Sequence, residues 1–513
     1  MSARGTVAEN RAVVVIGGGV GGLSAAIEAA ARGCRVVLLE RAGQLGGKMR
    51  QIEVGGAPID SGPTVVTMRW AFDQLFATAG RELDDYATLV PLEVLARHGW
   101  PDGSRLDLFA DIDRSAAAIT SFAGPREAEG YRAFCGHTQR LYEIVEQPFL
   151  RSRRPSVASV LTTRGLRGVL DFASIDWHRS MWTALAKFFE DPRLRQLFAR
   201  YATYYGSSPY RSPATLNLIA HVERVGVWRV DGGMIRLAQA LVKLAQELGV
   251  ELRTGAEVRR VIVRDGRAVA VELATGERVD ASAVIVNAAP QALDEGRFGA
   301  ELTGCVSYER GAARSLSAVT WSARARARGF PLAHHSVLFS SDYPAEFRAL
   351  ERGDLIGEPT VYVCAQDRVD AEAEAVESTP GWSDPERLLI LVNAPARGDD
   401  DPWTEAELDA LERRAFAVMA AAGLELDVLD VARTSPAQFE RLFPATGGAL
   451  YGFATHSMMA PFRRPQTRAR IRGLYLAGGG AHPGAGIPMV CLSGQLAGSA
   501  VARDLDERGG ARR

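Results

Sequence analysis

The sequence predicts an α/β protein in which a Rossmann-type dinucleotide-binding domain carries an inserted α+β domain. Three observations predict it. A β-branched run at 11–16 enters the glycine cluster at 17–22 and then an alanine-rich helix at 23–32. An amphipathic helix at 237–248 is followed by alternating strand-like runs. A last apolar strand beginning at Leu474 runs into Gly478, Gly479 and Gly480. Helical and strand periodicities that alternate in this way favour a parallel sheet covered by helices.

The first unit is the most specific. Gly17, Gly19 and Gly22 form G-x-G-x-x-G between a strand and a helix. Gly17 permits the tight turn, Gly19 lets the backbone approach a pyrophosphate, and Gly22 lets helix and strand pack closely. The helix N-terminus then offers free N–H groups and the positive end of its dipole to the phosphates. A second strand at 36–39 ends at Glu40, placed to hold ribose hydroxyls.

The next stretch, about 70–224, has few strand signals and reads as a mainly helical insertion, with helical periodicity at 127–145 and 181–205. After the helix at 237–248, strands are expected at 250–254, 258–264, 268–274 and 283–287, with turns at Asp265-Gly266 and Thr275-Gly276. Residues 300–465 mix strand runs, such as 388–392, with a charged helix at 405–421. The acidic stretch 367–386 reads as a surface loop.

Length and composition set bounds. The 513 residues suggest two or three domains, and 47% hydrophobic content allows large cores. Lys+Arg (60) balances Asp+Glu (61), which argues against a global nucleic-acid footprint. Cys34, Cys135, Cys305, Cys364 and Cys491 are dispersed, with no C-x-x-C. That fits a reducing compartment and favours neither a disulfide framework nor a metal site. The longest apolar run, 12–27, is glycine-rich and ends at Glu28, so neither a spanning helix nor an export signal is expected. A cytoplasmic protein follows as the expectation.

NAD and FAD share the first fingerprint, and later segments separate them. Residues 41–50 (RAGQLGGKMR), 59–64 (IDSGPT), 228–233 (WRVDGG), 254–258 (TGAEV) and 474–490 (LYLAGGGAHPGAGIPMV) resemble the glutathione-reductase-like, two-dinucleotide-binding flavoproteins. The match is to their phytoene desaturase-like, carotenoid desaturase branch. Residues 334–343 (HHSVLFSSDY) and 439–452 (FERLFPATGGALYG) look like the bacterial 1-hydroxycarotenoid 3,4-desaturases, or methoxyneurosporene dehydrogenases. Together these segments span nearly the whole chain.

The resemblance implies FAD as cofactor. It implies that Gly46 and Gly47 pass close to it, that Lys48 and Arg50 offset phosphate charge, and that Thr64 and Val65 neighbour the flavin. It implies further that Val258 meets the adenine through its backbone, that Asn287 lies near the cofactor, and that N–H groups of Met489 and Val490 face the flavin C2 carbonyl. Gly480 stands where most of the superfamily has an aspartate on the ribityl chain, so one customary contact is in doubt. His482 is a candidate acid/base, with a structural loop role as the competing reading; otherwise no catalytic residue is identified.

The implied domains are an FAD domain at 9–75, 225–298 and 468–508, and a substrate domain at 76–224 and 299–467. The implied reaction is desaturation of a carotenoid by hydride transfer to flavin N5, at C3–C4 of a 1-hydroxy or 1-methoxy substrate. Phytoene desaturase, carotenoid ketolase and carotenoid isomerase remain alternatives, with amine oxidase a more distant one. A lipophilic carotenoid must arrive from a bilayer, so peripheral contact with the inner or photosynthetic membrane is expected. Trp177, Trp182, Arg151, Arg153 and Arg154 are candidates for the contact face. His334 and His335 are candidates for holding the substrate hydroxyl, and Phe188, Phe189, Tyr201, Tyr204 and Tyr205 for lining a tunnel.

Overall fold

The computed structural model describes residues 11–146, 179–308, 311–369, 381–457 and 459–510. Five short strands form a parallel sheet in the order Leu474–Leu476, Ala283–Val286, Ala12–Ile16, Arg35–Leu39, Glu251–Arg253. Successive side chains alternate between its faces. Val13, Val15, Leu38 and Ile285 enter one core, while Val14, Ile16, Leu39, Val284 and Val286 enter the other. Both faces are therefore covered, which is why these strands read as unbroken apolar runs.

The helix Val20–Ala31 lies on the first face, with the helices Ile235–Glu247 and Ile487–Gly510 against it. The last approach is backbone-close. A Cβ on Gly494 would stand 2.3 Å from Gly21 O, and one on Gly498 2.6 Å from Ala25 O. A three-stranded antiparallel sheet, Val258–Arg264, Arg267–Leu273 and Arg278–Asp280, covers the other face. Its first turn is Asp265-Gly266, both at positive φ.

The second body is a seven-stranded sheet in the order Leu424–Thr434, Ser317–Gly329, Glu386–Ala394, Val361–Ala365, His335–Leu338, Val94–Gly99, Arg105–Phe109. All its pairings are antiparallel except the parallel one between Val94–Gly99 and His335–Leu338. The charged helix Glu405–Ala421 packs on this sheet and starts at a Thr404/Glu407 capping box. Helices Ile112–Ala123, Pro125–Val145, Pro192–Ala199 and Leu218–Val225 complete the layer.

The expectation of few strands at 70–224 needs correction, since Leu89–Pro91, Val94–Gly99 and Arg105–Phe109 lie there. Val94–Gly99 is buried on both faces yet contains Arg97 and His98, so it shows no apolar pattern. Arg97 is neutralised by Asp107 on the neighbouring strand at 2.7 Å and donates to Pro331 O. A hairpin, Gln51–Val54 with Ala57–Asp60, also went unread. It turns at Gly55-Gly56, both at positive φ, and delivers residues 61–65 to the junction of the two bodies.

Candidate functional site

Four glycine-bearing segments meet at the C-terminal edge of the parallel sheet. A Cβ on Gly22 would lie 1.9 Å from Gly17 O, and one on Gly17, whose φ is 97°, would lie 2.6 Å from Asn287 O. Gly19 caps the helix, with no side-chain acceptor on its first N–H groups and no acid in the first turn. Gly46 bridges to Gly19 and donates to Gly18 O at 2.9 Å, and a Cβ on Gly47 would come within 2.9 Å of Gly19 Cα. Asn287 donates to Gly17 O at 3.2 Å, and its Oδ1 fills the space a Cβ would take on Gly21 or Gly478. It is the wedge that fixes the spacing of the loops.

Glu40 accepts from the N–H of Gly18 at 2.7 Å and of Ala42 at 2.8 Å. The N–H groups of Gly255 and Ala256 bond Ala42 O and Glu40 O, which sets Val258 beside Glu40 at the start of its strand. Asp60, which received no role from the sequence, accepts from Met234 N at 2.6 Å and occupies the side-chain space of Gly233. It thereby seats the helix Ile235–Glu247.

At the other end, the missing aspartate has a steric cause. A Cβ on Gly480 would stand 2.4 Å from Pro290 Cδ, so only glycine fits. His482 is fully buried, and its backbone N–H donates to Pro465 O. That position suits the loop role rather than proton exchange at an open wall. The N–H of Val490 is already bonded to Gly486 O at 2.8 Å, so of the expected pair only Met489 remains as a candidate first-turn donor.

A set of half-buried side chains adjoins this edge. Lys48, Thr64, Val65, Arg200, Tyr204, Tyr205 and Tyr451 keep accessible surface. Burial nevertheless lowers the Lys48 ammonium to about 8 and raises the Tyr204 hydroxyl well above its ordinary value. It raises Tyr205 and Tyr451 as well. The set is contiguous. Lys48 Nζ donates to Leu450 O at 2.7 Å beside the Phe443 ring, Gly206 is packed on Tyr451, and Gly452 on Gly480. Thr64 Oγ1 meets Tyr362 Oη at 2.6 Å, and Tyr362 Oη meets His335 Nδ1 at 2.7 Å. Arg50 instead turns to Thr434 Oγ1 and the Phe439 ring.

Lys48 and Arg464 are buried cations for which no carboxylate partner exists among the described residues. The sequence reading passed over Arg464, which is 4% exposed. It donates to Gly479 O and Phe453 O, and burial lowers its pKa. Buried charges demand compensation. Lys48, which follows the glycine pair packed on Gly19, and Arg464, bonded to Gly479 O, are unpaired cations at glycine loops that exclude side chains, an arrangement that fits a phosphate-bearing ligand. The residues present therefore fit FAD.

The sequence candidates in the second body divide. Phe189 and Tyr201 are core residues, while Phe188 is partly open against Phe134 and His137. Tyr204 and Tyr205 are half-buried. His334, His335 and Cys364 bring one ligand atom each within 4.8 Å. Each imidazole is held through Nδ1, by Arg368 O and by Tyr362 respectively. Burial lowers both histidines and pushes the Cys364 thiol up to about 12, so the trio packs as a neutral cluster. Trp182 is partly exposed, lies tilted against Tyr210 and has Arg195 over its ring. Trp177, Arg151, Arg153 and Arg154 lie outside the described residues.

Glycine cradle, unpaired cations and adjoining tyrosines fit a flavin-dependent oxidoreductase. Residues 20–502 match the model of the flavin containing amine oxidoreductase family. The chain is 48% identical to the hydroxyneurosporene desaturase of Rubrivivax gelatinosus, over 98% of this chain and 95% of that one. It is 41% identical to that of Cereibacter sphaeroides, over 97% and 98%. A putrescine oxidase bound to putrescine shares the fold, with a TM-score of 0.60 at 15% identity, covering 97% of this chain and 99% of that one. The chain belongs to the flavin containing amine oxidoreductases and, within them, to the phytoene desaturase-like carotenoid desaturases, with FAD as cofactor.

Proposed function

We propose that the protein introduces the C3–C4 double bond of a 1-hydroxy or 1-methoxy carotenoid. The observation that carries the reading is the group of half-buried side chains beside the cofactor cradle, Lys48, Thr64, Val65, Tyr204, Tyr205 and Tyr451, which are aromatic or uncharged apart from Lys48. Such a lining suits a polyene, whose oxidation needs orientation and exclusion of water more than covalent help. The chemistry that bound FAD supplies is acceptance of the hydride from one carbon, while the neighbouring carbon loses a proton. The protein's share is structural. Asn287 and the glycines hold the cofactor loops, Lys48 and Arg464 offset phosphate charge, and Thr64 and Val65 present the 61–65 segment to the substrate.

A carotenoid is almost insoluble in water, so the substrate enters from a bilayer and the protein works at the cytoplasmic face of the inner or photosynthetic membrane. No helix among the described residues is long and apolar enough to cross a membrane. The test is a substrate panel. FAD-loaded protein is given 1-hydroxyneurosporene, 1-methoxyneurosporene, neurosporene or phytoene in liposomes, and pigments are separated by chromatography. Consumption of the two oxygenated substrates, each gaining one conjugated double bond, supports the reading. Preferential consumption of phytoene or neurosporene overturns the substrate assignment.

A further inference from the structure

Arg200 is a further half-buried cation without a carboxylate partner among the described residues, and the cofactor cradle leaves it unused. It follows the helix Pro192–Ala199 and opens the turn Arg200–Tyr205. Its guanidinium lies 5.5 Å from the Tyr204 ring centre and 5.4 Å from that of Tyr362. Its one hydrogen bond among the described residues goes to Tyr204 Oη, at 3.3 Å. Tyr204 Oη in turn donates to Glu223 Oε1 at 3.1 Å, and Tyr201 Oη donates to the other oxygen. No carboxylate among the described residues reaches Arg200 itself. None of its nitrogens is a sealed, unpartnered buried atom, so its remaining N–H groups keep accessible surface for a ligand.

The position also relates to the reacting bond. The Tyr362 ring that carries Arg200 has its hydroxyl on Thr64, in the segment bordering the cofactor cradle. Arg200 is thus one tyrosine ring away from that segment. In a 1-oxygenated carotenoid only C2 separates the oxygen-bearing carbon from C3. Whatever holds the oxygen must therefore sit close to the bond that faces the cofactor. A methoxy oxygen accepts hydrogen bonds but donates none, so a partner for both substrates must be a donor. Arginine offers five N–H donors, stays charged and accepts nothing. Flanking aromatic faces make its burial tolerable.

We propose that Arg200 binds the oxygen on C1 of the substrate, held in place by the Tyr204–Glu223 relay, and so selects the oxygenated end of the polyene and the C3–C4 bond. The proposal rests on the substrate reading above. The test compares kcat/KM for 1-hydroxyneurosporene and neurosporene in the wild type, R200M and R200K, with flavin content measured in each. The wild type is expected to favour the hydroxylated substrate at least about a hundredfold, since a site built around a hydrogen bond rejects an analogue lacking it. R200M is expected to bring the ratio to within about tenfold of unity, mainly through loss of the hydroxylated substrate and with FAD content unchanged. Should R200M fail to fold, R200K decides, because a point charge without the planar fork still lowers the ratio at least about tenfold. A wild type without preference contradicts the substrate reading. A wild type with preference that R200M, or R200K in its place, retains in full overturns the role of Arg200.

Discussion

Glu346 is 2% exposed, and burial raises its carboxyl to about 7 against the pull of donors from Thr360 and Ser340. A folded-state value above the unfolded one means that the native protein holds the extra proton between pH 4.5 and 7. The associated stability is complete below pH 4.5 and is lost as pH rises through 7, by up to about 3 kcal/mol. Denaturant melts of wild type and E346Q should therefore diverge over this window, with the glutamine variant losing less; parallel curves would refute the assignment. Lys48 shifts the other way, to about 8. An anionic cofactor favours its charged form, so FAD affinity should weaken as pH rises through about 8. K48M should bind FAD more weakly at pH 7 and lack that inflection, as read by flavin fluorescence titration. Lys48 was legible because it follows a glycine pair in a recognisable loop. Arg464 and Arg200 were not, since their meaning is the absence of a partner, which only three-dimensional packing reveals.

At the scale of elements, the glycine loops are the most readable feature because one geometry forces one residue type. The turn at Gly17–Gly22 was legible for that reason. The substitution of glycine for aspartate at 480 was readable as a departure, and its cause, the ring of Pro290, came only with the fold. G480A should lower flavin occupancy, measured as absorbance per protein. P290A in the same chain should restore part of it by removing the ring atoms 2.4 Å and 3.0 Å from the new Cβ. Equal losses in single and double variants would contradict the steric account. Elements with polar cores were misread. Val94–Gly99 hides Arg97 and His98 between paired strands, so hydrophobic alternation never signals it.

Across the whole molecule, two sheets divide the work. The parallel sheet places glycine loops, Glu40, Val258 and Asn287 along one edge for the cofactor. The seven-stranded sheet meets it through the Thr64–Tyr362 hydrogen bond, with Arg200 over the Tyr362 ring. The parallel half was readable from local motifs, because its strands and loops alternate in short, regular units. The other half depends on pairings between residues more than two hundred positions apart, such as His335–Leu338 with Val94–Gly99, which no local pattern encodes. The central claim is that these halves form one flavin-dependent desaturase. It is tested most directly by anaerobic mixing of FAD-loaded protein with 1-hydroxyneurosporene in liposomes, followed by flavin absorbance and pigment mass. The account predicts bleaching of the flavin in step with a product two hydrogens lighter and one conjugated double bond longer. Unchanged pigment beside a fully oxidised flavin in loaded protein would contradict it.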